Sequence, residues 1–171
     1  NSTNKQIVCL AVSGNGNLCI ISKNSRVKKL SDLKGKSVFI AGRGATPEYI
    51  FKYILKKNNI SYSDEVTNSS KVYLDYSIQT ANLVPSLISR KIEFALAPEP
   101  FSTIAKVKDK TVKKVIDIQQ EFEDITIKDN TFPLTVIVAT SDFINKSLES
   151  AEEENQIDIG KELVSKFLED Y

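Results

Sequence analysis

Leu30-Ser31-Asp32-Leu33-Lys34-Gly35-Lys36-Ser37-Val38-Phe39-Ile40-Ala41-Gly42-Arg43-Gly44-Ala45-Thr46-Pro47 is the stretch on which the fold turns. It begins as a short helical turn closed by a glycine. The apolar run at 37–41 has the unbroken character of a central parallel strand buried on both faces. A glycine loop then leads into a helix over 48–58, where Ile50, Tyr53, Ile54 and Lys57 recur at helical spacing. Thr46 is the expected N-cap and Pro47 the first helical residue.

The same alternation extends outward. Before it, residues 7–12 and 18–21 read as two strands interrupted by the small, polar segment Ser13-Gly14-Asn15-Gly16-Asn17. After it come a strand at 71–76, a helix at 82–90, a strand at 94–97 and a helix at 101–107. A strand at 112–118 follows, then a polar, irregular excursion at 119–131 and a last strand at 134–139. From Ser141 the chain turns helical, through an acidic stretch at 149–154 to Ile159, Leu163, Val164, Phe167 and Leu168, and that pattern reads as cut from something longer. Strands alternating with helices of this length predict a three-layer αβα lobe around a mainly parallel central sheet.

Composition narrows the function. A chain of 171 residues with 41% hydrophobic residues is long enough for one proper core. Its 23 basic and 22 acidic residues produce no positive field, so nucleic acid is not an expected partner. No run approaches the roughly 18 apolar residues of a membrane span, and the polar start at 1–5 is neither signal peptide nor anchor. Histidine is absent, which removes the usual general base, the commonest metal ligand and every Ser-His or Cys-His nucleophile system. The expectation is therefore no enzyme, no catalytic residue, no metal and no cofactor. Cys9 and Cys19 flank the polar break among Ile, Val and Leu, where buried free thiols and a disulfide across the turn are both open readings.

Binding residues are expected at the loop ends. A small-residue loop at a helix N-terminus presents backbone N–H groups and the positive dipole end to an anion, which makes Gly44, Ala45 and Thr46 candidates. The competing reading is a tight turn permitted by Gly42 and Gly44 and capped by Thr46. Glu99, within Ala97-Pro98-Glu99-Pro100-Phe101, stands at the carboxyl end of a strand, where open α/β sheets bind ligands, or else serves only as a helix cap. Tyr76, Gln79 and Phe132 can reach the same edge, although aromatic residues there more often pack in the core or rim. The lysines at 106–114 read as a solvated helix end. Gly35-Lys36-Ser37 lacks the first glycine of a P-loop, since position 30 is leucine, the 42–44 loop lacks a third dinucleotide glycine, and Ser25-Arg26-Val27-Lys28 fits Ser-x-x-Lys only formally.

Taken in order, residues 30–38, Gly42 to Pro47, Leu87-Ile88-Ser89-Arg90-Lys91-Ile92-Glu93-Phe94-Ala95-Leu96 and Pro98-Glu99-Pro100-Phe101 resemble the type II periplasmic-type solute-binding proteins of ABC importers. The likeness covers roughly residues 8–143 and is to the branch of nitrate, sulfonate, taurine and thiamine-precursor binders. It implies one α/β lobe over 1–171, the second lobe of a two-lobed protein, with hinge-proximal strands at 7–22 and C-terminal helices at 141–171. It implies a small polar solute bound between lobes, a first lobe from the same parent protein, and delivery to a membrane permease from the periplasm or from a lipoprotein tethered outside the cell membrane. Ser13 and Asn15 would then stand near Glu99 and the 44–46 loop, with Arg43 adding positive charge. Glu99 disfavours a purely anionic ligand. Two other uses of such a scaffold are a ligand-sensing regulatory lobe and a synthase of a thiamine-pyrimidine precursor, the latter needing a histidine or cofactor lysine.

Overall fold

The structure is a computed structural model that describes residues 6–66, 70–126, 132–145 and 159–170; the polar start, Thr131 and the acidic stretch at 149–154 lie outside the described residues. The chain divides into two compact units, Gly16–Phe132 and a second one made of the segments before and after it.

Within Gly16–Phe132 the strands are β2 (Leu18–Ser22), β3 (Ser37–Ile40), β4 (Tyr62–Ser63), β5 (Val72–Asp75), β6 (Phe94–Pro98) and β7 (Lys113–Asp117). They form one sheet in the order β4-β5-β3-β6-β2-β7. The pairs β4/β5, β5/β3 and β3/β6 are parallel, while β2 runs against both β6 and β7. All strands but β2 therefore point the same way. The outermost strands are blunted against further pairing: β4 has two residues, and β7 exposes Lys113 and Lys114.

Among the described residues four α-helices cover this sheet: α1 (Thr46–Lys57), α2 (Leu83–Ile88), α3 (Phe101–Lys108) and α4 (Ile118–Ile125). Strand periodicity sorts the core into two layers. Leu18, Ile20, Val38, Ile40, Phe94 and Leu96 pack with Phe51, Ile54 and Leu55 of α1 and Ile118 of α4. Cys19, Ile21, Phe39, Ala95 and Ala97 pack on the other side with Leu83, Val84 and Leu87 of α2 and Ala105 of α3. This is the three-layer αβα arrangement expected, and β3 is the doubly buried central strand.

The second unit consists of β1 (Ile7–Asn15) and β8 (Pro133–Thr140), paired antiparallel, with α5 (Ser141–Ile144) and α6 (Ile159–Asp170). None of its described residues is buried, although both strands are nearly continuous apolar runs. Val8, Val12, Val136, Val138, Leu163 and Phe167 all stay at 40% exposure or more. No described helix in the chain is long and apolar enough to cross a membrane.

Two local expectations are corrected. The excursion at 119–131 contains α4, which Asp117 caps by accepting hydrogen bonds from the N–H groups of Gln119 at 3.1 Å and Gln120 at 3.4 Å. Its rungs are Gln119–Glu123 and Gln120–Asp124 side-chain hydrogen bonds, and Ile118, Phe122 and Ile125 share its inner stripe. Both cysteines carry free thiols, and Cys9 is exposed, because its strand lies in the unit without a buried core. Asp117→Ala is expected to cost about 1 kcal/mol, the usual worth of an N-cap side chain. A fall of the thermal midpoint by a few degrees checks it, and no fall would mean that the cap adds nothing to α4.

Candidate functional site

Because the strands share a direction, their carboxyl ends align along one edge of the Gly16–Phe132 sheet. The register places there Tyr76 after β5, the loop at 41–45 after β3, Glu99 after β6 and Asn17 before β2, whose partner at Leu18 is Pro98. The chain leaves β3 through α1 on one face and leaves β6 through α3 on the other. The carboxyl ends of β3 and β6 thus flank a topological switch point, the position at which open α/β sheets hold ligands. Five of the sequence candidates border it: Arg43, Gly44, Ala45, Thr46 and Glu99, with Tyr76 one strand away.

The loop is held by a residue that sequence reasoning missed. Glu48, 4% exposed, accepts hydrogen bonds from the Gly44 N–H at 2.5 Å, the Lys52 ammonium at 2.5 Å and the Tyr76 hydroxyl at 2.9 Å. Burial pushes its carboxyl up, but the bonds from Lys52, Gly44 and Tyr76 outweigh burial and hold it below the ordinary carboxylate range. Burial first, and then the bond to Glu48, push the Tyr76 phenol upward. Arg43 lies over the Tyr76 ring, 5.0 Å from its centre, and pairs with Asp64 at 2.5 Å. Gly42 at φ +80° and Gly44 at φ +78° supply the left-handed turn that this path requires.

The N-cap of α1 is Ala45, not Thr46, because Glu48 reaches back to Gly44 and takes over the capping role; Thr46 is the first helical residue. An exposed Thr46 side chain remains available at the surface. Glu99 meets its structural reading. Its carboxylate accepts from the Ser102 hydroxyl and from the Thr103 N–H at 3.1 Å, closing the first turn of α3. The Ser102 bond leads the causes that hold it below the ordinary range. The Glu99–Pro100 peptide is cis.

Phe132 does not line this edge. It is 1% exposed and packs edge-on against Phe122, with ring centres 5.3 Å apart, so it belongs to the core. Gln79 is exposed beyond β5. Ser13 and Asn15 lie on β1, in the other unit, where the Ser13 hydroxyl donates to the Thr135 hydroxyl at 3.2 Å. Among the described residues no three acidic or sulfur ligands gather as a metal site.

This αβα unit, with its reversed β2, has the type II periplasmic-binding-protein-like fold, and the chain is similar to solved structures of that kind. An ABC transporter protein from Parabacteroides distasonis matches at 22% identity over 82% of this chain and 44% of its own, with a TM-score of 0.57. The periplasmic sulfonate-binding protein from Methylobacillus flagellatus matches at 20% over 84% and 39%, with a TM-score of 0.61. The periplasmic aliphatic sulphonate-binding protein of Escherichia coli matches at 16% over 77% and 41%, with a TM-score of 0.53. The chain spans less than half the length of each. No curated protein matches the sequence. The chain belongs to the NMT1-like family, whose model covers residues 7–144.

Proposed function

We propose that this chain is the second lobe of a solute-binding protein of an ABC-type importer, and that it holds a small polar solute at the β3/β6 switch point without turnover. The observation that carries this reading is the switch point between β3 and β6, beside which the glycine loop pinned by Glu48 leaves Thr46 exposed. The names of the similar proteins support the same use. Thr46 supplies the polar contact, Gly44 and Ala45 form the loop surface beside it, Arg43 adds its charge over Tyr76, and Glu99 shapes the opposite side through α3. The solute passes to a membrane permease from outside the cytoplasm, where the protein is periplasmic or tethered as a lipoprotein.

The same reading gives the small unit its partner. Its apolar strands, with no described residue buried, await a first lobe from the same parent protein. A thermal-shift screen of the full-length parent, and of this chain, against sulfonates, nitrate, pyrimidines, polyamines and amino acids tests the proposal, since selective binding to the folded state raises its apparent stability. A concentration-dependent rise with one class, lost in Thr46→Ala and Arg43→Ala, is the expected result. Silence of the parent toward every class would remove the importer reading.

A further inference from the structure

The hydrogen-bond accounting at the loop restricts what the switch point can take. Residues 44 to 48 carry four backbone N–H groups, because Pro47 has none. The Gly44 N–H is given to Glu48, that of Ala45 to the Gly42 carbonyl at 3.4 Å, and that of Glu48 to the Ala45 carbonyl at 3.1 Å. Only the Thr46 N–H keeps no partner among the described residues. The donors that would cradle an oxyanion at the start of α1 are thus engaged, one of them by a carboxylate of the protein itself. The neighbouring charges also close to zero, with Arg43 and Lys52 set against Asp64 and Glu48.

Resting on the proposed solute-binding role, we infer that Glu48 is the specificity-determining residue of the loop after β3: it occupies the anion position at the start of α1, so that the solute presents a neutral, hydrogen-bond-accepting group to Thr46 rather than an oxyanion to the loop. The carboxylate's burial is what makes this a permanent feature. A surface carboxylate would swing aside for a competing anion, whereas Glu48 is tied at both oxygens, with Gly44 on one and Lys52 and Tyr76 on the other. Its removal leaves an ammonium, a phenol and an amide N–H converging on an empty, carboxylate-sized space.

Amide-resolved NMR titration of the chain with sodium acetate and sodium ethanesulfonate tests this, with sodium chloride as the ionic-strength control. In the wild type the Gly44, Ala45 and Thr46 amides are expected to stay still with both anions. In Glu48→Ala the Gly44 amide is expected to move saturably with acetate. Glu48→Gln keeps the space filled and raises the local charge by one, so its Thr46 amide is expected to move saturably with ethanesulfonate, and it serves if the alanine variant fails to fold. Saturable movement of the wild-type loop amides overturns the inference, as does silence of the folded variants. Both results are separate from failure of the solute-binding role, which appears as silence of the parent toward neutral solutes as well.

Discussion

Phe132→Ala is expected to lower the stability of the Gly16–Phe132 unit by about 3–5 kcal/mol, the usual cost of deleting a buried phenylalanine ring, and to leave the response to solutes unchanged. The ring is 1% exposed, meets Phe122 edge-on, and through Phe122 joins a row that ends at Tyr53 on α1. Its backbone carbonyl accepts the Gly16 N–H at 2.8 Å, so the two ends of the unit are joined where the ring sits. A Cβ placed on Gly16 would stand 1.7 Å from the ring, which is why that position has no side chain. Gly16→Ala in the intact protein is therefore expected to cost about 1–3 kcal/mol through overpacking. In the double variant the alanine methyl enters the space the ring has left, so the combined loss should fall short of the sum. Urea unfolding midpoints of the two single variants and the double variant measure this. A small loss for Phe132→Ala, together with a lost solute response, would return Phe132 to the carboxyl edge of the sheet.

The parts of this fold legible in the sequence are those whose signal is local. β3 and β6 are short apolar runs bounded by glycine, lysine or proline, and a strand buried on both faces leaves just that trace. α1 was readable from its periodicity and from Pro47. α4 is masked in the sequence by its polar residues, although Asp117 followed by Ile118, Phe122 and Ile125 at steps of four and three carries both a cap and an inner stripe. β4, with two residues, has no period to detect.

The candidate site divides along the same line. Gly42 and Gly44 announce a left-handed turn by composition, and Glu99 before Pro100 announces a strand end. Glu48 gives no such notice. An acid in the first turn of a helix is satisfied by the dipole alone, so nothing in its neighbours distinguishes a solvated carboxylate from one buried against Tyr76, twenty-eight residues away. The place of Phe132 before a strand points to the edge, whereas its partners, Gly16 and Phe122, are brought to it only by the folded sheet.

Glu48→Ala is expected to cost about 3 kcal/mol at neutral pH, because removing one partner of a buried ion pair costs about 3–5 kcal/mol and Lys52, whose side chain is 24% exposed, can recover part of this by turning its ammonium to water. The Gly44 N–H and the Tyr76 hydroxyl have no such escape. The effect depends on pH with a definite sign. The folded carboxyl titrates below its unfolded counterpart, so its stabilising contribution is complete above the ordinary carboxylate range and is lost as pH falls through the folded value. The gap in unfolding midpoint between wild type and Glu48→Gln should thus be constant near neutrality and shrink on acidification from the ordinary carboxylate range downward. A gap that stays level through that range would mean that the Glu48 charge, as distinct from its shape, does not hold the loop.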